Sequence, residues 1–340
     1  MNDHPPAAAV FGCSGTVLGD AERRFFAETD PLGFILFARN IDTPAQVRAL
    51  VACLRESVGR ADAPILIDQE GGRVQRLAPP GWRRAPAAAA FGRLAARDPS
   101  AAEDLVRLNY RLIGRDLADL GIDVDCAPVV DVPVPGADDV IGDRAFGDDP
   151  DRVARLGRAA MDGLLDEGVL PVVKHCPGHG RATADSHKRL PVVDASYEAL
   201  EKRDFAPFRA LADAPWAMTA HVVYTAIDAD APATLSAKVI AEIIRGAIGF
   251  SGVLVSDDLS MRALGGPFEE RARAALAAGC DLVLHCNGDM DEMMAVARGT
   301  RRLDDQALGR LSRAGAMKRN APPLDVGHVL QRMATELDAT

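Results

Sequence analysis

The chain has 340 residues, 48% of them hydrophobic and 26% charged, with a net charge of -10 at pH 7. The composition is ordinary for a globular protein, and an acidic balance without a long basic block argues against nucleic acid or an anionic membrane as partner. The length suits one large α/β barrel or two smaller domains.

The six cysteines, Cys13, Cys53, Cys126, Cys176, Cys280 and Cys286, form no C-x-x-C pair and read as free thiols of a reducing compartment. The apolar run at 7–13 is too short for a secretion signal and lacks a basic flank. No run approaches the ~20 apolar residues a membrane helix needs. These features predict a cytoplasmic protein.

In chain order, eight short apolar runs stand out, at 8–11, 33–37, 64–67, 122–127, 170–173, 216–220, 252–255 and 281–284. Most are continuous rather than alternating, as expected of strands covered on both faces. Helical patterns lie between most of them. Residues 44–58 place Val47, Leu50, Val51, Leu54 and Val58 on one face, with Thr43 as cap and Pro44 in the first turn. Another pattern starts at Asp149-Pro150 and has Gly168 just past its end. Similar patterns run over 101–120, 197–212, 236–247 and 269–278. Residues 87–90 are a small alanine-rich patch in the long connection after the third strand. The stretch from Leu303 to Ala339 reads as a helical tail on the outside of the barrel, interrupted at Pro322-Pro323. The alternation predicts an α/β fold, a TIM-type (β/α)8 barrel, with an open doubly wound sheet as the alternative. No linker-like stretch divides the chain, so residues 1–340 read as one barrel domain with a helical tail.

Polar residues cluster at the strand ends, where such barrels keep their chemistry. Asp68-Gln-Glu-Gly-Gly-Arg-Val-Gln-Arg76 follows the third strand, and Pro128-Val-Val-Asp131 with Ile141-Gly-Asp-Arg144 follows the fourth. The fifth leads into 174–191, which holds three His, an Asp and two Lys and is broken by Pro177, Gly178 and Gly180. Pro and Gly forbid a regular helix there, so the segment is expected to be a ligand-facing loop. His221 follows the sixth strand, and Ser256-Asp257-Asp258 ends the seventh.

Four of these motifs, in this order, resemble the β-N-acetylhexosaminidases of glycoside hydrolase family 3. They are Asp68-Gln-Glu-Gly-Gly-Arg, Lys174-His-x-Pro-Gly-His-Gly, Asp185-Ser-His187 and Ser256-Asp257-Asp258-Leu-Ser-Met261. The resemblance runs from about Phe34 to about Asn287. At this length it is to the single-domain cytoplasmic members that act in bacterial cell-wall recycling. It implies a retaining mechanism with Asp257 as nucleophile, His187 as general acid/base and Asp185 as the carboxylate that orients and charges the histidine. It also implies that Asp68, Arg76, Arg144, Lys174 and His175 hydrogen-bond the terminal sugar. A histidine in this role departs from the usual pair of carboxylates, yet it titrates near neutrality and a neighbouring carboxylate favours its cation. The implied substrate is a muropeptide fragment with non-reducing GlcNAc linked β-1,4 to 1,6-anhydro-N-acetylmuramic acid, and no cofactor is implied. Two positions depart from the family pattern: Cys176 stands where Phe is frequent, and Arg181 where Asp is frequent.

Other readings weigh less. His175 and His179 could suggest zinc, but the intervening Pro-Gly breaks the helix that would align them. His179 is expected to be a structural loop residue bonded to backbone, and His221 either a support at the mouth or a core histidine. His285 and His328 are expected to have no catalytic role. Gly71-Gly72 suits a tight turn presenting Asp68 better than a phosphate loop. Asp123, Asp125 and Asp131 could form a cation site, although Asp131 better suits supporting the arginines of the sugar pocket. The functional rivals are a glycoside phosphorylase, a β-glycosidase of another sugar preference, a catalytically silent sugar-binding protein and a zinc hydrolase.

Overall fold

In a computed structural model, which describes residues 4–338, the eight apolar runs form one closed parallel barrel. The strands are β1 (Ala7–Gly12), β2 (Pro31–Leu36), β3 (Ile65–Ile67), β4 (Val124–Asp125), β5 (Leu170–Cys176), β6 (Trp216–Thr219), β7 (Val253–Asp258) and β8 (Leu282–His285). Each pairs with its neighbours in sequence, and β8 closes on β1 with Val10 opposite Leu284. The fold is therefore the (β/α)8 barrel and not the open sheet. Closure explains the continuous apolar runs, since one strand face fills the barrel and the other meets helices. Every residue of β1 and β2 is buried.

The helix signals act as read. Helix Pro44–Ser57 starts at Thr43, whose side chain accepts from the Gln46 N–H. Helix Pro150–Asp166 starts at Asp149, which accepts from the Arg152 N–H. Two helices, Asp20–Thr29 and Met290–Gly299, lack an obvious apolar stripe because their buried faces are narrow. In the first, Phe26 shares that face with Glu22, whose carboxylate accepts from the N–H groups of Ser14 and Gly19.

Residues 197–212 are not one regular helix. Pro207 cannot donate to the carbonyl four residues back, and the preceding turn widens so that Phe205 N–H bonds Leu200. The stretch Val239–Ala247 is likewise wide-turned, with Ile243 and Ile244 buried. The alanine-rich patch opens the helix Ala88–Ala95. The tail forms helices Asp305–Gly315 and Val326–Asp338; Ala339 lies outside the described residues. The first tail helix is tied to the barrel by Arg310 on Asp281, and the second to helix Pro99–Ala118 by Arg332 on Asp104. Among the described residues, no helix is long and apolar enough to cross a membrane.

Candidate active site

The C-terminal ends of the strands surround a cavity of about 680 Å³, open to solvent. Asp68, Arg76, Arg144, Lys174, His175, His187 and Asp257 all reach its wall. Asp185 stands behind His187, bonded to its Nδ1 at 2.9 Å. The candidate residues, spread over nearly 190 positions from Asp68 to Asp257, thus meet in one place.

One end of the cavity is a charge cluster built on the run after β3. There the chain folds into a hairpin, Gln69–Gly71 against Val74–Gln75, with Gly71 and Gly72 at φ 92° and 58°. A Cβ at Gly71 would collide with the Pro86 carbonyl, so the turn that presents Asp68 depends on glycine. The Gln69 amide oxygen accepts from the N–H groups of Arg76 and Leu77, which returns Arg76 to the cavity. Asp68 then bonds Lys174 Nζ at 2.8 Å and Arg76 at 3.1 Å.

Glu70, absent from the sequence-based candidates, is the second anchor. It holds Arg144 bidentately, with both bonds at 2.8 Å, and accepts from Lys174 Nζ at 2.8 Å. Its position within the Asp-Gln-Glu run was the available signal, because buried Arg and Lys need a counter-charge. Burial alone would raise both carboxyls, but Lys174 with Arg76 holds Asp68 well below the usual carboxylate range, and Lys174 with Arg144 lowers Glu70. Lys174 itself is pushed up, its desolvation outweighed by Asp68 and Glu70. Two carboxylates among three cations leave a rigid set of donors and acceptors suited to adjacent hydroxyls.

Two barrel strands break register where they meet this cluster. On β5, Val173 pairs with Ala217 but Cys176 with Thr219; on β7, Val255 pairs with Leu282 but Asp258 with Leu284. Each strand has one residue more than its partner, and such a bulge re-aims side chains. Consecutive residues, Lys174 with His175 and Asp257 with Asp258, accordingly face the same cavity.

Asp257 and Asp258 differ in their commitments. The Asp258 carboxylate accepts from the Ser260 N–H, the Ser260 hydroxyl and the Cys286 N–H. Asp257 accepts on Oδ1 from the Asp258 N–H, and Oδ2 has no described protein partner. Burial works against its charge, but His221, His175, the Asp258 N–H and His187 outweigh it and keep it below the usual carboxylate range. His221 lies behind the pair as a buried support, bonding Thr234 Oγ1 and the Asp258 carbonyl.

The loop after β5 brings the dyad. His187 is 64% exposed in its side chain, lines the cavity and pairs through Nδ1 with Asp185 Oδ1, which leaves Nε2 without a partner among the described residues. Asp185 is lowered to about 2: partial burial raises it, but the His187 N–H, the His187 ring and Lys188 prevail. Arg181 bonds the buried Asp204, which the widened turn at Leu200–Asp204 carries to the base of the loop. Cys176 is a buried thiol at the end of β5.

Two expectations change, and one disfavoured reading falls. Asp131 bonds neither Arg76 nor Arg144 and reaches Arg144 through its charge alone; it accepts from His175 N–H and Nδ1 and from the His179 N–H, and so fixes the start of the loop. The His179 ring bonds a side chain, Ser186 Oγ, rather than backbone. Asp123, Asp125 and Asp131 do not converge on a cation: Asp123 pairs with Arg55, Asp125 accepts from the Gln69 N–H, and Asp131 holds the two histidines. Among the described residues, no group of three or more His, Cys, Asp or Glu is arranged to hold a metal. His285 pairs with Glu292, and His328 sits on the second tail helix, both away from the cavity wall.

Residues 20–311 match the glycosyl hydrolase family 3 N-terminal domain. A Beta-hexosaminidase of Alkalilimnicola ehrlichii is 43% identical over 82% of this chain and 80% of its own length, and one of Pseudomonas aeruginosa is 41% identical over 83% of each. The crystal structure of NagZ from Neisseria gonorrhoeae in complex with N-trifluoroacetyl-D-glucosamine is 33% identical, covers 99% of each chain and superposes with a TM-score of 0.87. A barrel with its polar cluster at the C-terminal mouth, matched over this length, defines a glycoside hydrolase. The chain belongs to glycosyl hydrolase family 3, among its β-N-acetylhexosaminidases.

Proposed function

We propose that this chain is an exo-acting, retaining β-N-acetylglucosaminidase of the cytoplasm. Its proposed substrate is a muropeptide fragment of peptidoglycan recycling, in which non-reducing GlcNAc is linked to 1,6-anhydro-N-acetylmuramic acid. One observation carries the mechanism: Asp257 and His187 face one cavity, the first with an uncommitted oxygen and the second with Nε2 unpaired among the described residues. In the first step an Asp257 oxygen bonds the anomeric carbon, the glycosidic C–O bond breaks, and His187 Nε2 gives its proton to the leaving oxygen. In the second, His187 Nε2 takes a proton from water, the water oxygen bonds the anomeric carbon, and the bond to Asp257 breaks. Asp185, anionic at neutral pH, orients the ring and favours its cation.

Asp68, Arg76, Arg144, Lys174 and His175, all on the cavity wall, form the sugar grip. The N-trifluoroacetyl-D-glucosamine bound by the Neisseria relative supports the choice of sugar. Residues 1–340 are proposed to act as one catalytic barrel domain with its helical tail.

Chromogenic GlcNAc, GalNAc and glucose β-glycosides, assayed with and without phosphate, test the reading. GlcNAc release independent of phosphate is expected; sugar 1-phosphate would make the enzyme a phosphorylase. A 2-deoxy-2-fluoro or 5-fluoro glycoside should label the peptide that holds Asp257, and Asp257→Ala should abolish turnover with an unchanged melting curve. Labelling on Asp258 would sink the nucleophile assignment.

A further inference from the structure

The stretch 183–190 carries both members of the dyad, yet little apolar surface holds it down. Only Ala184 and Ser186 are buried within it. Its hydrogen bonds to the rest of the described structure both end on Ser186. Ser186 Oγ lies 3.1 Å from His179 Nε2, and the Ala263 N–H donates to the Ser186 carbonyl at 3.2 Å. The other bonds are internal: Asp185 with His187 and Lys188, and the N–H groups of Lys188 and Arg189 on the Asp185 carbonyl.

Both of Ser186's partners are themselves fixed. The His179 N–H bonds the buried Asp131 at 2.6 Å, and the ring is buried. Ala263 lies in the turn that follows β7. That turn is pinned by the Asp258 carboxylate through Ser260, and by the Met261 N–H on the Asp258 carbonyl. Ser186 therefore joins the dyad to two rigid points, one at the start of its own loop and one next to the nucleophile's strand.

We propose that Ser186 is the positioning residue of the acid/base dyad, a latch that holds His187 over the glycosidic oxygen through His179 and the Ala263 N–H. The proposal rests on His187 being the acid/base. Ser186 sits between Asp185 and His187 in sequence, so its position sets theirs directly. The local bonds fix the dyad's internal geometry but not its place over the cavity. Loss of the hydroxyl leaves the Asp185–His187 pair intact and lets it leave the cavity as a unit, at a cost local to the loop.

Ser186→Ala is the test, with His187→Ala in parallel. A hydroxyl–imidazole bond of about 1–1.5 kcal/mol predicts a loss in kcat/KM of about 10-fold on an alkyl glycoside, whose leaving group needs a proton. A dinitrophenyl glycoside should change by no more than about 2-fold, since its leaving group departs without protonation. The melting temperature should fall by no more than about 3 °C, and amide exchange over 183–188 should quicken. His179→Ala should reproduce the leaving-group signature, and the double variant should lose no more than either single one.

Equal losses on both glycosides in Ser186→Ala would overturn the latch, because a distorted sugar pocket gives that result. So would unchanged activity and exchange. If His187→Ala depends on the leaving group and Ser186→Ala does not, the latch falls and the acid/base assignment stands. If His187→Ala shows no such dependence, both fall.

Discussion

Asp257 and Asp258 are the same residue type, adjacent in sequence and on one cavity wall, and their hydrogen bonds give them different work. Three donors fill Asp258, so its removal strands the Cys286 and Ser260 N–H groups and frees the turn after β7. Asp258→Ala is expected to lower stability by about 2–4 kcal/mol, read from denaturant unfolding, whereas Asp257→Ala keeps its stability and loses its chemistry. Glu70 belongs to the same scale. Glu70→Gln removes the charge that orients Arg144 and Lys174, and a drop in kcat/KM of about 100-fold, mostly through KM, is expected from loosening two cavity-facing cations. A kcat loss with KM unchanged would instead tie Glu70 to the bond-breaking step.

At the scale of elements, the site is made by departures from regular structure. Bulges on β5 and β7 turn neighbouring residues to one side, and a glycine hairpin after β3 returns Arg76. The loop after β5 depends on glycine in two ways. Gly178 has a φ of 137°, whereas Gly180 lies so close to Val132 that a Cβ would collide with its carbonyl. Gly180→Ala is expected to cost roughly 2 kcal/mol or more and to lower the melting temperature, since the neighbour is backbone and cannot yield cheaply. Beyond this fixed base, hydrogen exchange over 183–188 is expected to be faster than in the strands and to slow when GlcNAc binds. Slow exchange indifferent to the sugar would show that the dyad does not move.

For the whole molecule, buried titratable groups set the acid limit of stability. His179 is pushed from its ordinary 6.5 down to about 4, by burial first and then by the His175 ring. The unfolded chain binds that proton more readily than the folded one, so stability rises with pH across the window from about 4 to 6.5 and is lost as pH falls through it. At about 1.4 kcal/mol per unit, this one ring accounts for roughly 3 kcal/mol. Asp68, Glu70 and Asp131 are held below the usual carboxylate range, and their contributions are lost at still lower pH. Between pH 4 and 6.5 the unfolding free energy of His179→Ala should have a less positive slope against pH than that of the parent, in which Asp204, raised to about 6, opposes the ring; equal slopes would refute the assignment to His179.

Much of the fold was legible in the chain because barrel strands announce themselves. Being covered on both faces, they read as uninterrupted apolar runs, and Thr43-Pro44 and Asp149-Pro150 marked helix starts by satisfying free N–H groups. Helices Asp20–Thr29 and Met290–Gly299 were not legible, since a narrow buried face leaves too weak a period. The motifs likewise named the residues around the cavity, because each lies just past a strand end. The sequence could not say who holds whom. Asp131 serves His175 and His179 while Glu70 serves Arg144, because these pairings join segments that only the closed barrel brings together, and Ser186 reaches His179 along a loop path that no local pattern fixes. Composition and local pattern determined the barrel and the residues at its mouth; the bulges, the buried charge pairs and the docking of the dyad were decided by tertiary structure, where distance in space no longer follows distance along the chain.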